Sequence, residues 1–284
     1  MKAVTYWIEQ IGFHRLLLAP ALTFLLVVFI YPISFVLIKS FIDPVPTLKH
    51  YIHFFKNPAY FKVLLITFKI SFTVTMLTLF LGYPMAYLLC RVSDKTRNFL
   101  MILVLIPFWT SLLVRNYAWM VFLGREGVLN RILMGLGLIE SPIKFLHTTF
   151  AVNLGMAHMM LPFMILALFS VMKGIDLGLV KAASSLGANP FQTFWRVYFP
   201  LTLPGVAAGC LLVFIFSLGF FITPSLLGGR TDMMISMLIE IQVSELLNWG
   251  FASALSVILL VMTLMLFYIY NRFLGLDRLW GGTS

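Results

Sequence analysis

Residues Lys181–Gly205 read KAASSLGANPFQTFWRVYFPLTLPG, a short, semi-polar island between two long apolar runs. Ala182, Ala183, Ser184 and Ser185 are small, so a helix carrying them lets a partner surface come close. Gly187, after Leu186, can take a positive φ at no steric cost, which suits a helix C-terminus. Asn189 is a good N-cap, and Pro190 stands where a first-turn proline belongs. Phe191, Phe194, Trp195 and Tyr198 then follow i, i+3, i+4, i+7 spacing, with Gln192, Thr193 and Arg196 off the stripe. That pattern predicts one short amphipathic helix. Pro200 is expected to end it and Pro204 to open the next apolar run. The stripe alone would also suit a helix resting on lipid headgroups.

The surrounding composition is that of a membrane protein. Of 284 residues, 61% are hydrophobic and 11% charged, against about half and about a quarter in soluble domains. Six spans are expected, near Leu16–Ile38, Val63–Cys90, Phe99–Leu123, Phe150–Met172, Gly205–Ile222 and Phe251–Phe273, because a helix needs about 20 apolar residues to cross the hydrocarbon. Val128–Ile139 is too short to span and reads as an outer-surface helix, amphipathic or partly re-entrant. The chain divides into 1–60 (cytoplasmic N-terminus, first span, outer loop), 61–273 (five spans, with a cytoplasmic loop near 173–204) and a cytoplasmic tail, 274–284. The N-terminal apolar run does not read as a cleavable signal.

With both termini cytoplasmic, ten basic residues fall in inner loops and eight outside, leaving Lys69 and Arg115 within spans. The cluster Arg91/Lys95/Arg97 in a very short inner loop favours this orientation. The net charge of +10 therefore flanks the membrane and does not form a nucleic-acid surface. No G-x-x-x-x-G-K-[ST] cradle occurs. Cys90 and Cys210 lie on the inner side, where a disulfide is not expected. His50 and His53, at i, i+3, read as a surface pair and not as metal ligands. No span carries Asp or Glu, so the usual ion relay of a secondary transporter is missing, as is any catalytic dyad.

Three features suggest a pathway. Arg115 follows Ile106-Pro107-Phe108-Trp109-Thr110-Ser111, where proline loosens the helix. A gate role and snorkelling to outer headgroups both fit it, whereas Lys69 reads as snorkelling. Gly82-Tyr83-Pro84 marks a helix irregularity, beside a cavity or within packing. Phe220-Phe221-Ile222-Thr223-Pro224 puts two rings at the end of the fifth span, as an outer plug or as core.

The ordered string L-G-A…P-L-x-x-P-G at Leu186–Ala188 and Pro200–Gly205 resembles the signature loop of permease subunits of bacterial ABC importers. Leu81–Tyr87, Ile106–Thr110, Gly124–Gly127, Leu161–Met164, Thr223–Gly229 and Asn248–Phe251 are similar to the polyamine-type branch, in particular to the first permease of its pair. The resemblance runs from Leu16 to about Phe273. It implies an all-α integral membrane protein of the type I importer architecture in the bacterial inner membrane. It further implies a second permease, an ATPase dimer, a periplasmic substrate-binding protein and surrounding lipid as partners. No cofactor is implied on this chain; ATP and Mg belong to the ATPase.

By the same resemblance Lys181, Ala182, Ala183, Leu186, Gly187, Ala188, Pro200 and Pro204 form the ATPase-coupling loop. Arg115, Trp109, Tyr83, Phe220, Phe221 and Thr223 are candidates for the pathway or gate. Lys181 stands where the family commonly has Glu, which implies either a solvent-facing lysine or an acidic partner residue. The implied cargo is a small amine: a polyamine, opine or amino acid. The absent acids lean toward a zwitterion or single amine, unless the second permease supplies them.

Overall fold

A computed structural model describes residue 18 and residues 20–43 and 45–274. Twelve helices run through them: α1 Pro20–Phe41, α2 Lys49–Lys56, α3 Pro58–Arg91, α4 Asp94–Trp109, α5 Leu112–Leu123, α6 Val128–Gly135, α7 Thr149–Met172, α8 Leu177–Ser185, α9 Pro190–Leu218, α10 Ile222–Leu227, α11 Ile235–Ser244 and α12 Trp249–Leu274. Among the described residues there is no strand, only an isolated bridge between Ile42 and Pro46. Five helices (α1, α3, α7, α9 and most of α12) are long and apolar enough to cross a membrane, and a sixth crossing exists if α4 and the helix pair after it count as one broken span. The expected tail, 274–284, lies outside the described residues after Leu274, as do residues 1–17.

Two compact units divide the chain. One joins Met1–Asn57 to Ile239–Leu260, the other Pro58–Leu238 to Val261–Ser284. In the first, no residue of the apolar window of α1 is buried. A polar knot closes the α1–α2 turn. His50 Nε2 lies 3.0 Å from Asp43 Oδ2, Lys49 Nζ donates to the Asp43 carbonyl at 3.1 Å, and Tyr51 donates to Ser40 Oγ at 2.8 Å. His50 is buried against Gly250, and His53 stands edge-on to Phe251. His50 is therefore part of the packing and not on the surface as its loop position suggested, whereas His53 is exposed.

The second unit is built on α3, α7 and α9. The inward face of α3 carries Thr67, Ser71, Thr75, Thr78 and Gly82 at one-turn intervals, all buried. Small residues let helices approach closely where lipid offers no hydrophobic drive between them. The threonine hydroxyls are satisfied by their own helix, Thr67 on Val63 at 2.9 Å and Thr75 on Ser71 at 2.7 Å. Opposite them α7 places Leu168 with Met156, Met160, Met164 and Met172, whose flexible thioethers fill the remaining gaps. On α9 the approach is closest: a Cβ at Gly205 would sit 2.9 Å from Val171 Cβ, and one at Gly209 2.7 Å from Met164 Sδ. A side chain at Gly205 would push α9 off α7, whereas one at Gly209 would require the Met164 thioether to move aside.

Four features differ from the sequence expectation. The third span, expected as Phe99–Leu123, is broken: α4 and the helices after it meet at 98°. Pro107 weakens the last turn of α4, and Thr110 and Ser111 are extended, with ψ of 142° and 135°. The fifth span does not begin at Gly205. Helix α9 runs unbroken from Pro190, and Pro200 does not end it. A π-turn over Phe194–Tyr198 precedes the proline, with Phe199 N–H bonded to the Phe194 carbonyl. Its wider coil relieves the clash and the missing donor that a proline brings to an α-helix. The outer end of α9 is Leu218, not Ile222, so Phe220 and Phe221 lie in the break before α10. The outer helix expected over Val128–Ile139 stops at Gly135, with Gly137 at φ 69°.

Candidate functional site

The turn between α8 and α9 is closed at both ends by its own residues. Asp176 opens α8 by accepting the Gly178 N–H at 2.7 Å. At the other end Gly187 N–H bonds to the Ser184 carbonyl at 3.0 Å and Ala188 N–H to Ala183 at 3.1 Å, the paired bonds of a Schellman motif. Gly187 has φ 87°, a conformation that L side chains rarely adopt. Asn189 and Gln192 then form a capping box, with bonds of 2.8 and 3.2 Å. Every backbone device for a stiff two-helix corner is present within a few residues. The corner is bare: Leu186 is 89% exposed, and Lys181, Ala182, Gly187 and Phe191 are exposed beside it. Ala183 and Ala188 are half-buried.

The first turns of α9 are held to α3 by aromatic side chains. Tyr83 Oη lies 3.1 Å from Thr202 Oγ1. The Thr202 hydroxyl already donates to the Phe199 carbonyl at 2.7 Å, so Tyr83 is the donor. The Tyr83 ring meets Phe194 edge-on at 6.3 Å, and Tyr87 meets Tyr198 edge-on at 5.2 Å. The Arg91 guanidinium caps the set, 4.8 Å from the Tyr87 ring and 5.8 Å from that of Tyr198. The expected aromatic stripe is thus split. Phe194 and Tyr198 turn to α3, while Phe191 and Trp195 remain exposed. Pro200 is exposed and Pro204 half-buried within α9.

Toward the other end of the same unit, Arg115 on α5 and Phe220 line one cavity of about 510 Å³ with Pro107, Phe108, Phe163 and Phe216. The Arg115 Nε is buried and has no hydrogen-bond partner. On its other side, Arg115 borders Trp119 and His158, whose Nδ1 accepts the Trp119 N–H at 3.1 Å. The remaining candidates lie elsewhere. Trp109, at the end of α4, is 78% exposed, and Phe221 is 40% exposed. Thr223 is fully buried against Gly155 of α7. Tyr83 belongs to the α8–α9 corner and not to the Arg115 cavity. Lys69 is exposed on α3.

Long-range polar contacts around the Phe220 break were not foreseen from the sequence. Ser236 Oγ donates to the Phe220 carbonyl at 2.8 Å, and Thr67 Oγ1 accepts the Ile235 N–H at 2.8 Å. Thr67 on α3 thereby caps the start of α11 from 168 residues away. Asp232 is buried, accepting from Thr149 Oγ1 and, at 2.9 Å, from the Gly229 N–H. Only the Gly228-Gly229 turn hinted at this anchor.

Residues 78–274 match the family model described as binding-protein-dependent transport system inner membrane component. A Haemophilus influenzae protein described as spermidine/putrescine transport system permease protein PotB is 41% identical over 226 residues, 80% of this chain and 79% of that one. The Escherichia coli protein of the same description is 38% identical over 233 residues, covering 82% and 84%. The fold is also that of a chain in a crystal structure of a bacterial alginate ABC transporter in complex with alginate pentasaccharide-bound periplasmic protein, with a TM-score of 0.76, 20% identity, and 93% and 94% coverage. The apolar helices of the described residues agree with a multi-pass inner-membrane protein. The chain belongs to the family of inner membrane components of binding-protein-dependent transport systems, as a permease subunit of an ABC importer.

Proposed function

We propose that this chain is one of two permeases in an ATP-driven importer of a small amine, and that the α8–α9 corner is where an ATPase subunit docks. The observation that carries the docking role is the exposed Leu186 on a corner closed by a Schellman motif and a capping box. An apolar knob on so stiff a mount suits rigid contact with a moving partner. Ala182 and Ala183 leave room for that partner, and Lys181 faces it or the solvent. ATP and Mg bind on the ATPase dimer, which closes and opens. The continuous α9, tied to α3 through Tyr83 and Thr202, carries the motion to the Phe220 break. The two arrangements expose the pathway alternately to periplasm and cytoplasm, and a periplasmic receptor delivers the solute.

The amine class rests on the PotB relatives, which are described as spermidine/putrescine permeases. The rings of Phe108, Phe163, Phe216 and Phe220 offer faces to an ammonium group. Reconstitution of this chain with its second permease, ATPase and receptor tests the reading. ATP hydrolysis should rise on adding loaded receptor, and amine uptake should follow it. Uphill uptake by this chain alone, driven by an ion gradient, would overturn it. A ligand screen on the receptor fixes the cargo.

A further inference from the structure

We propose that Arg115 is one half of an ion pair between subunits, and that the carboxylate comes from the second permease. The inference rests on the two-permease reading above. It starts from an imbalance of charge. Arg115 sits on α5, beside a cavity walled by apolar and aromatic side chains, and its buried Nε has no partner. A guanidinium in such surroundings is costly unless a carboxylate or similar group meets it.

This chain does not provide one among its described residues. Asp43 is engaged by His50 and Lys39, Asp94 by Arg97, Asp176 by the first turn of α8, and Asp232 by Thr149 and Gly229. No ion pair joins Arg115 to any described Asp or Glu. Two of the rings lining the cavity are also exposed at the surface, Phe108 at 44% and Phe216 at 45%. A helix from another subunit can cover the apolar rim and bring one acid to the arginine. Arginine suits the task because its planar fork meets a carboxylate with two bonds and stays charged. The pair would fix the register of the two permeases beside Phe220.

The test uses the complete transporter in a bilayer. In the Arg115→Lys variant, dicyclohexylcarbodiimide should join the new amine to the facing carboxylate, taking up the water lost as the amide forms. Mass spectrometry should find a peptide bridging this chain and the second permease, absent from the wild type. Arg115→Glu should cut uptake by about tenfold or more with the chain still inserted. Selection for restored uptake should return acid-to-base changes in the second permease. A bridge confined to this chain, or suppressors that alter only the receptor or this chain, would overturn the proposal. So would a raised KM for a carboxylate-bearing solute with assembly unchanged, which would assign the arginine to cargo. If no second permease co-purifies at all, the two-permease reading fails first. If it co-purifies without bridge or suppressor, only the ion pair fails.

Discussion

Tyr83 donates a hydrogen bond to Thr202 across 3.1 Å, joining two helices whose partner residues are 119 positions apart in sequence. It is a direct polar link between α3 and the part of α9 that leaves the exposed corner. A net intramolecular hydrogen bond contributes about 1 kcal/mol. Tyr83→Phe and Thr202→Val should each lower receptor-stimulated ATP hydrolysis by a few fold in reconstituted transporter, about 1 kcal/mol. The double variant should be no worse than either single one. Additive losses would show that the two side chains act separately.

Gly187 should tolerate no ordinary side chain. Its φ of 87° would strain an L residue by roughly 1–2 kcal/mol, although open space surrounds the position. Gly187→Asp should abolish uptake while the chain remains in the membrane at wild-type level. Gly187→Asn, a residue that visits the left-handed region, should retain part of the activity. Normal transport by the Asp variant would remove the corner from the coupling path.

The two neighbouring phenylalanines should separate. Phe220 lines the Arg115 cavity and its carbonyl is held by Ser236, whereas Phe221 is 40% exposed. Phe220→Ala should raise ATP hydrolysis in the absence of receptor and lower uptake. Phe221→Ala should leave both close to wild type. Equal effects, measured side by side in proteoliposomes, would show that the rings work as one unit.

Thr67→Val should leave the buried Ile235 N–H without its acceptor, at a cost of about 1–3 kcal/mol. Thr67→Ser keeps the oxygen and should be nearly silent. Thermal unfolding of the detergent-solubilised transporter is the readout. An undisturbed midpoint for Thr67→Val would mean that the α11 N-terminus finds another acceptor.

The α8–α9 corner was legible in the sequence because each of its rules is local. Gly187, Asn189 and Pro190 fix the backbone within one or two residues of themselves. Pro200 misled because its usual effect is cancelled by the π-turn just before it, and nothing in the residue pattern announces an extra residue in a helical turn. The end of the fifth span was misplaced for a different reason. Phe220, Phe221 and Ile222 are apolar enough to continue a helix, and their release from α9 is fixed by distant partners, with Ser236 holding the Phe220 carbonyl. Thr67 and Asp232 could not be singled out, since an intrahelical threonine or a loop aspartate gains its meaning from a residue far along the chain. The histidine pair reads as exposed until Asp43 and Gly250 close around His50.

The unbroken course of α9 makes it a boom. Its 29 residues extend about 43 Å at 1.5 Å per residue, from the bare corner at Pro190 to the break after Leu218. A boom pivoted near its base magnifies small displacements. A swing of about 5° at the corner would carry the far tip through about 4 Å, somewhat less than the rise of one helical turn. Gly205 and Gly209 keep the far half of the boom close against Val171 and Met164. A slender joint anywhere along that length would squander the stroke, and the π-turn at Phe194–Tyr198 adds width to the coil without cutting it.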